Sequence, residues 1–130
     1  MMHAFPLIKE LSPKLTEEDY RQHISEMVLN GYAQIIAEAD HHIIAVSGFW
    51  IGTKLYCGRY LEIDNFVVLE THRSQQIGAQ MLKLLEEEAI RQNCKVMMLD
   101  AYVQNSRAHR FYYRHGFAVK GFHFIRKVIV

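Results

Sequence analysis

The amino-acid sequence predicts a mixed α/β fold whose sheet begins antiparallel and closes with a parallel pair. Three observations carry this reading. Two-residue alternation on both sides of the Asp40-His41-His42 group predicts a β-hairpin. A long strand, an amphipathic helix and a short apolar run follow one another over residues 59–99, which predicts a strand-helix-strand unit with a right-handed crossover. Helical spacing of apolar residues before the hairpin and after the crossover supplies the flanking helices. With 130 residues the chain is expected to form one domain, residues 1–130, large enough for a true core.

Taken in order, residues 4–12 are short and ambiguous, and Pro6 can open a brief helix through Leu11. Thr16 is a good N-cap, with Asp19 at the capping-box position and Leu15 and Tyr20 placed as a hydrophobic staple. Tyr20, Ile24, Met27 and Val28 then recur at helical spacing, and Gly31 is a natural C-terminal stop. The next strand puts Ala33, Ile35, Ala37 and Ala39 on one face and Tyr32, Gln34, Ile36 and Glu38 on the other. Residues 43–50 are its hairpin partner, and residues 52–58 are expected to be a second break. Residues 59–69 form a long central strand that carries Glu62 and Asp64 among aliphatic and aromatic neighbours.

From Gln75 to Gln92 the spacing predicts a helix, with Gly78, Met81, Leu82, Leu85 and Ala89 as its buried stripe. The continuous apolar run at residues 96–99 predicts a strand covered on both faces. A further helix is expected from Ser106 to His115, ending at Gly116. Phe117, Val119, Phe122, Phe124, Ile125, Val128 and Ile129 then predict two short strands around Gly121.

Composition narrows the function. Half the residues are apolar and 22% are charged, as in ordinary globular proteins, and the net charge of +1 argues against a polyanionic partner such as bulk nucleic acid. No apolar stretch approaches the roughly 20 residues needed to span a bilayer, and the N-terminus lacks the pattern of a secretory signal. Cys57 and Cys94 sit far apart and outside any Cys-x-x-Cys pair, so free thiols in a reducing cytoplasm are expected. The eight histidines include no metal-ligand spacing, and no metal site is expected.

The most informative chemistry lies where the long strand passes into the helix. Residues 73–79, Arg-Ser-Gln-Gln-Ile-Gly-Ala, open that helix just after Phe66, Val67 and Val68. A helix N-terminus there leaves unpaired backbone N–H groups at the positive end of the dipole, ready for a phosphate or pyrophosphate. Gly78 and Ala79 are small enough to let the first turn come close to such a ligand.

Residues 66–82, Phe-Val-Val-Leu-Glu-Thr-His-Arg-Ser-Gln-Gln-Ile-Gly-Ala-Gln-Met-Leu, resemble the acyl-CoA binding motif of the GCN5-related N-acetyltransferase superfamily. Residues 105–117, Asn-Ser-Arg-Ala-His-Arg-Phe-Tyr-Tyr-Arg-His-Gly-Phe, resemble that superfamily's second motif. The resemblance covers roughly residues 16–125, and the two motifs occur in order with a strand between them. It implies a sheet flanked by helices, with the central parallel pair splayed to admit acyl-CoA. It also implies transfer of an acetyl group from acetyl-CoA to a primary amine.

Carried onto this sequence, the resemblance makes Arg73, Ser74, Gln75, Gln76, Ile77, Gly78 and Ala79 the pyrophosphate cradle, through their amides. Phe66, Val67 and Val68 would line the pantetheine arm as a neighbouring strand, with the Val68 amide as oxyanion donor. Asn105 would contact the pantetheine or thioester end. Asn105, Ala108, His109 and Tyr112 share one helical face, and Tyr112 matches the tyrosine that protonates the departing thiolate. Without the motif, Tyr112 reads as a core aromatic bonded to backbone. Glu62 and Asp64 lie on one face of the strand and are both candidates for the base; each is equally readable as a solvated or ion-paired carboxylate.

One position departs from the pattern. Gln76 stands where the family's loop carries its first glycine. In ordinary helical backbone its N–H still faces the pyrophosphate, with a modest change in affinity. The same departure leaves open a non-catalytic acyl-CoA-binding module of the same fold. The acceptor amine is not specified: a small amine, an amino acid, an aminoglycoside-like compound and a protein amine all fit. Tyr20, Met27, Trp50, Tyr56 and Tyr60 suggest an aromatic pocket wall, equally readable as core packing. The expected partners are acetyl-CoA and that amine, with no nucleic acid and no membrane, in the cytoplasm. The apolar segments at residues 122–125 and 128–130 suggest a homodimer by edge-strand logic.

Overall fold

The computed structural model describes residues 1–128, with Ser74 and Gln75 described by their backbone alone. It divides into two compact units, Met1–Leu99 and Asp100–Val130.

The first unit opens with a 3-10 turn, Met2–Ala4, and a short helix α1, Phe5–Ile8, with Pro6 in its first turn. Helix α2, Glu17–Met27, is capped as its sequence demands. The Asp19 N–H donates to Thr16 Oγ1 at 3.1 Å, and Glu17, Glu18 and Asp19 oppose the positive end of the dipole. A 3-10 turn, Val28–Asn30, tightens its end, and Gly31 stops it in the left-handed region at φ +97°.

Strands β1, Tyr32–Ala39, and β2, His42–Lys54, form the expected hairpin. Asp40 (φ +50°) and His41 (φ +64°) are its two turn residues, the pair of positive φ values that matches strand twist in a type I′ turn. Strand β3, Gly58–Val68, pairs antiparallel with β2, and β4, Val96–Leu99, pairs parallel with β3, giving the order β1-β2-β3-β4. Helix α3, Ile77–Arg91, makes the crossover. Gly52 does not break the chain as expected: it lies inside β2 opposite Tyr60, whose ring occupies the space a side chain would fill.

Two β-bulges shape this sheet. β2 gains a residue at Ile44, between the pairs Ala37↔Ala45 and Glu38↔Ile43. β3 gains one at Asn65 and Phe66, which together oppose Ser47 between the pairs Val46↔Val67 and Gly48↔Asp64. On the α1/α2 side the core is Ala4, Leu7, Ile8, Tyr20, Val46 and Val67, and Leu15 packs against this cluster, which contains its expected staple partner Tyr20. On the α3 side Ile44, Ala45, Ile77 and Met81 pack with Phe66 and Val68. β4 departs from expectation. Val96 is 37% exposed and Met97, Met98 and Leu99 are half-buried, because β4 is the last strand of the described sheet and has a neighbour on one side only.

In the second unit, helix α4, Ser106–Arg114, starts where Asn105 Oδ1 accepts the Ala108 N–H at 3.1 Å. The chain turns away at Gly116, φ +90°. Residues 117–128 contain no strand, contrary to the pattern of their side chains, and Val119, Phe122, Phe124, Ile125 and Val128 are exposed. β-prone residues become a strand only when a neighbour pairs their backbone, and among the described residues none does. Ile129 and Val130, the end of the expected strands, lie outside the described residues.

Among the described residues no helix is long and apolar enough to cross a membrane.

Candidate active site

The parallel ladder stops short of the end of β3. Its last pair is Ile63↔Leu99, and β3 runs on through Val68. The strand then leaves the sheet. The Leu69 N–H donates to the Ile44 carbonyl at 2.7 Å, and a 3-10 turn, Glu70–Gln75, carries the chain to α3.

Helix α3 begins later than its periodicity predicts. Residues 73–75 belong to the 3-10 turn, and Gln76 is not helical: it is left-handed, at φ 57° and ψ 23°. The physical reason is that the chain must change direction between a tight turn and a new helix. A single left-handed residue does this, and glycine does it most cheaply. Among the described residues no side chain caps the N-terminus of α3, so its first N–H groups remain available donors. Ile77 is buried, Gly78 and Ala79 are half-buried, and Gln76 is exposed. The Arg73 side chain turns back, with Nε donating to the Val68 carbonyl at 3.0 Å. Phe66, Val67, Val68, Arg73 and the 76–79 segment therefore form one continuous corner of the first unit.

The two carboxylates expected on one face are there. Glu62 pairs with Trp50, which pairs with Tyr32; Asp64 pairs with Gly48, which pairs with Gln34. Directly opposed residues of an antiparallel pair point to the same side, so these six residues share the face that α2 covers. There the Trp50 Nε1–H donates to Asp64 Oδ2 at 3.0 Å, and the Tyr32 and Trp50 ring centroids lie 5.1 Å apart. Of the suggested aromatic wall, Tyr20 is a core residue at 3% exposure, whereas Tyr56 projects into solvent.

In the second unit, Asn105, Ala108, His109 and Tyr112 follow the predicted helical face. Ala108, His109 and Tyr112 are half-buried while Arg107, Arg110 and Arg114 are exposed. His109 Nε2 donates to the Tyr102 carbonyl at 2.8 Å, tying α4 to the loop before it. Asn105 spends its carbonyl oxygen on the helix cap, which leaves its Nδ2 as the end able to meet a ligand. Tyr112 packs against Phe117 with ring centroids 5.5 Å apart, and burial pushes its hydroxyl pKa up to about 12. A hydroxyl so shifted stays protonated at any physiological pH.

Periodicity missed a group of residues on the α2 face. Tyr20, Tyr32 and Gln34 form a hydrogen-bonded cluster that ends at Asn65, and Asn65 is left-handed at φ +54°. The available signal was Asn65 itself: asparagine is unfavourable inside a strand and tolerant of positive φ. Among the described residues no group of three His, Cys, Asp or Glu side chains is placed to hold a metal ion.

Comparison with known proteins bears on the family and the fold. The chain is 36% identical over 77 residues to an aminoalkylphosphonate N-acetyltransferase of Salmonella typhimurium, a match over 59% of this chain and 44% of that one. The match thus spans less than half of the relative's length. Its fold is similar to that of the aminoglycoside acetyltransferase AAC(6')-Iy, solved with a CoA-containing bisubstrate analogue (TM-score 0.85, 20% identity, covering 98% of this chain and 90% of that one). It is also similar to glucosamine-6-phosphate N-acetyltransferase of Arabidopsis thaliana (TM-score 0.73, 22% identity, covering 94% and 86%). The model of the Acetyltransferase (GNAT) family matches residues 3–117. With that match over most of its length and both motifs in their elements, the chain belongs to the GNAT acetyltransferase family.

Proposed function

We propose that this protein transfers the acetyl group of acetyl-CoA to the nitrogen of a primary amine. The observation that carries the reading is the corner at the end of β3: a strand that outruns its parallel neighbour, then turns into a helix whose N-terminus has no side-chain cap among the described residues.

In this reading the amides of residues 73–79 hold the pyrophosphate, favoured by the helix dipole. Phe66, Val67 and Val68 lie along the pantetheine arm, and the Val68 amide receives the oxyanion. Asn105, through Nδ2, and Ala108 face the pantetheine end. Glu62 or Asp64 accepts the proton that the ammonium loses, directly or through water. The amine nitrogen then bonds to the thioester carbon, the C–S bond breaks, and the sulfur takes the proton of the Tyr112 hydroxyl; the proton that the new amide nitrogen sheds passes through water to restore Tyr112. Burial keeps the Tyr112 hydroxyl protonated at working pH, so its proton is present when the thiolate departs, although the same shift makes it a weaker acid than a free tyrosine.

The relative that acetylates aminoalkylphosphonates makes these compounds the first acceptors to try. The test is release of free CoA from acetyl-CoA in the presence of aminoalkylphosphonates, amino sugars, aminoglycosides and lysine peptides, beside calorimetry of acetyl-CoA binding. Binding with turnover supports the reading; no binding at millimolar acetyl-CoA overturns it. A second reading, a non-catalytic acyl-CoA-binding module, is favoured by the left-handed Gln76 in place of glycine. Binding without CoA release from any acceptor would select it.

A further inference from the structure

The bulge in β3 decides which side of the sheet each of its last residues faces. Asp64 lies on the α2 face. Strict alternation from there would turn Phe66 and Val68 to that same face and Val67 to the other. The extra residue reverses this: Val67 packs in the α1/α2 core, and Phe66 and Val68 pack on the α3 side. The backbone of Val68, proposed above as oxyanion donor, therefore owes its orientation to the conformation of Asn65.

That conformation is costly for a residue with a side chain, and Asn65 does not hold it alone. The Tyr32 hydroxyl donates to Asn65 Oδ1 at 3.0 Å across the width of β2. It can reach because the residue it crosses is Gly48: a Cβ there would collide with the Tyr32 hydroxyl. Tyr32 is held in turn. Gln34 Nε2 lies 3.1 Å from both the Tyr32 and Tyr20 hydroxyls, and Tyr20 gives its own proton to the Met1 carbonyl at 2.7 Å. Since both hydroxyl protons are committed, Gln34 must present its NH2 to them, which fixes the amide orientation. The cost is that Gln34 Oε1 is buried without a hydrogen-bond partner among the described residues. Such a cost is tolerated when the group does other work.

We infer that Tyr32, oriented by Gln34 and admitted by Gly48, is a positioning residue that clamps Asn65 in its left-handed conformation and so aims the Val68 backbone for acyl transfer. The inference rests on the proposed reaction for its function, though not for its geometry.

The test is a double-mutant cycle between Tyr32→Phe and Asn65→Gly. Phenylalanine keeps the ring on Trp50 and removes only the hydroxyl. Glycine adopts positive φ unaided, so it makes the clamp unnecessary. Tyr32→Phe alone is expected to lower kcat by about tenfold, since small misplacement of reacting groups is costly, with little change in the KM for acetyl-CoA. In the Asn65→Gly background the same change should cost less than about twofold, because the bulge no longer depends on it. Equal losses in both backgrounds would mean that the hydroxyl serves only packing, and would overturn the inference. An unaltered kcat in Tyr32→Phe would do so as well. If the wild-type protein turns over no amine, the proposed reaction has failed, and thermal unfolding of the four proteins still decides the clamp. A Tyr32→Phe loss of Tm that shrinks in the Asn65→Gly background supports it; additive losses overturn it.

Discussion

Arg73 returns to the strand it follows, its Nε donating to the carbonyl of Val68 at 3.0 Å. That bond closes the turn between β3 and α3 on itself. It occupies the carbonyl side of Val68, so the amide side is the part left to serve an incoming thioester.

Arg73→Ala should therefore loosen the corner without unfolding the protein, because Arg73 is exposed and outside the core. Acetyl-CoA affinity is expected to fall by roughly tenfold, the scale of one charge-assisted hydrogen bond. Arg73→Lys should recover only part of it, since an ammonium cannot reproduce the guanidinium geometry. Calorimetry with acetyl-CoA measures both. Wild-type affinity in Arg73→Ala would remove Arg73 from the site.

Gln76 makes a prediction of opposite sign. It is exposed and left-handed at φ 57°, so glycine at this position relieves backbone strain and removes no core contact. Gln76→Gly is expected to stabilise the fold by about 1 kcal/mol, raising Tm by roughly 3–5 °C. Gln76→Val should destabilise it, because a β-branched residue tolerates positive φ worst. Calorimetric unfolding of the two variants separates them. Should Gln76→Gly lower Tm, the glutamine side chain contributes something that the strain argument omits.

The tyrosines give the pH dependence. Burial pushes the hydroxyl pKa up to about 12 in both Tyr32 and Tyr112, and raises that of Tyr20, from an ordinary value near 10. The folded state therefore binds more protons than the unfolded chain between about pH 10 and pH 12, and stability must fall as pH rises through that window. Below about pH 9 these groups are almost wholly neutral in both states and give little slope. Tyr32→Phe removes one titrating group, so its stability should fall less steeply over the window. Urea unfolding at pH 9, 10 and 11 tests this, and parallel slopes in the two proteins would contradict the assignment.

Much of this was legible in the sequence, and the reasons differ by element. Helix α2 announced itself because Thr16, Leu15 and Tyr20 are local signals that reappear as a cap and in one core cluster. The carboxylates of Glu62 and Asp64 were placed on one face because alternation holds between them. It failed one residue later, at Asn65, since the bulge depends on a hydroxyl 33 positions away, and no short window contains both. Gly52 misled for a similar reason. A glycine reads as a break until one sees the Tyr60 ring lying over it from the next strand. Gln76 lay within the predicted helix because side-chain periodicity carries no information about φ. Residues 117–128 have the composition of strands, yet composition does not supply the neighbouring backbone a strand requires.

Tyr112 offers the sharpest separation between binding and chemistry. Its hydroxyl is the last proton source the proposed reaction needs, whereas its ring is held by Phe117 and Phe111. Tyr112→Phe keeps those ring contacts and deletes the proton, so acetyl-CoA affinity and the KM of the acceptor should hardly change. The kcat is expected to drop by about a hundredfold, the lower end of what general-acid catalysis contributes. With its pKa at about 12, Tyr112 stays an acid throughout the working range, so wild-type kcat should show no alkaline decline from this group below about pH 10. The loss in Tyr112→Phe should also shrink for acyl donors whose thiol is more acidic than that of CoA, because a better leaving group needs protonation less. Equal losses for both kinds of thioester would place Tyr112 outside the proton transfer and return it to the role of a packed aromatic.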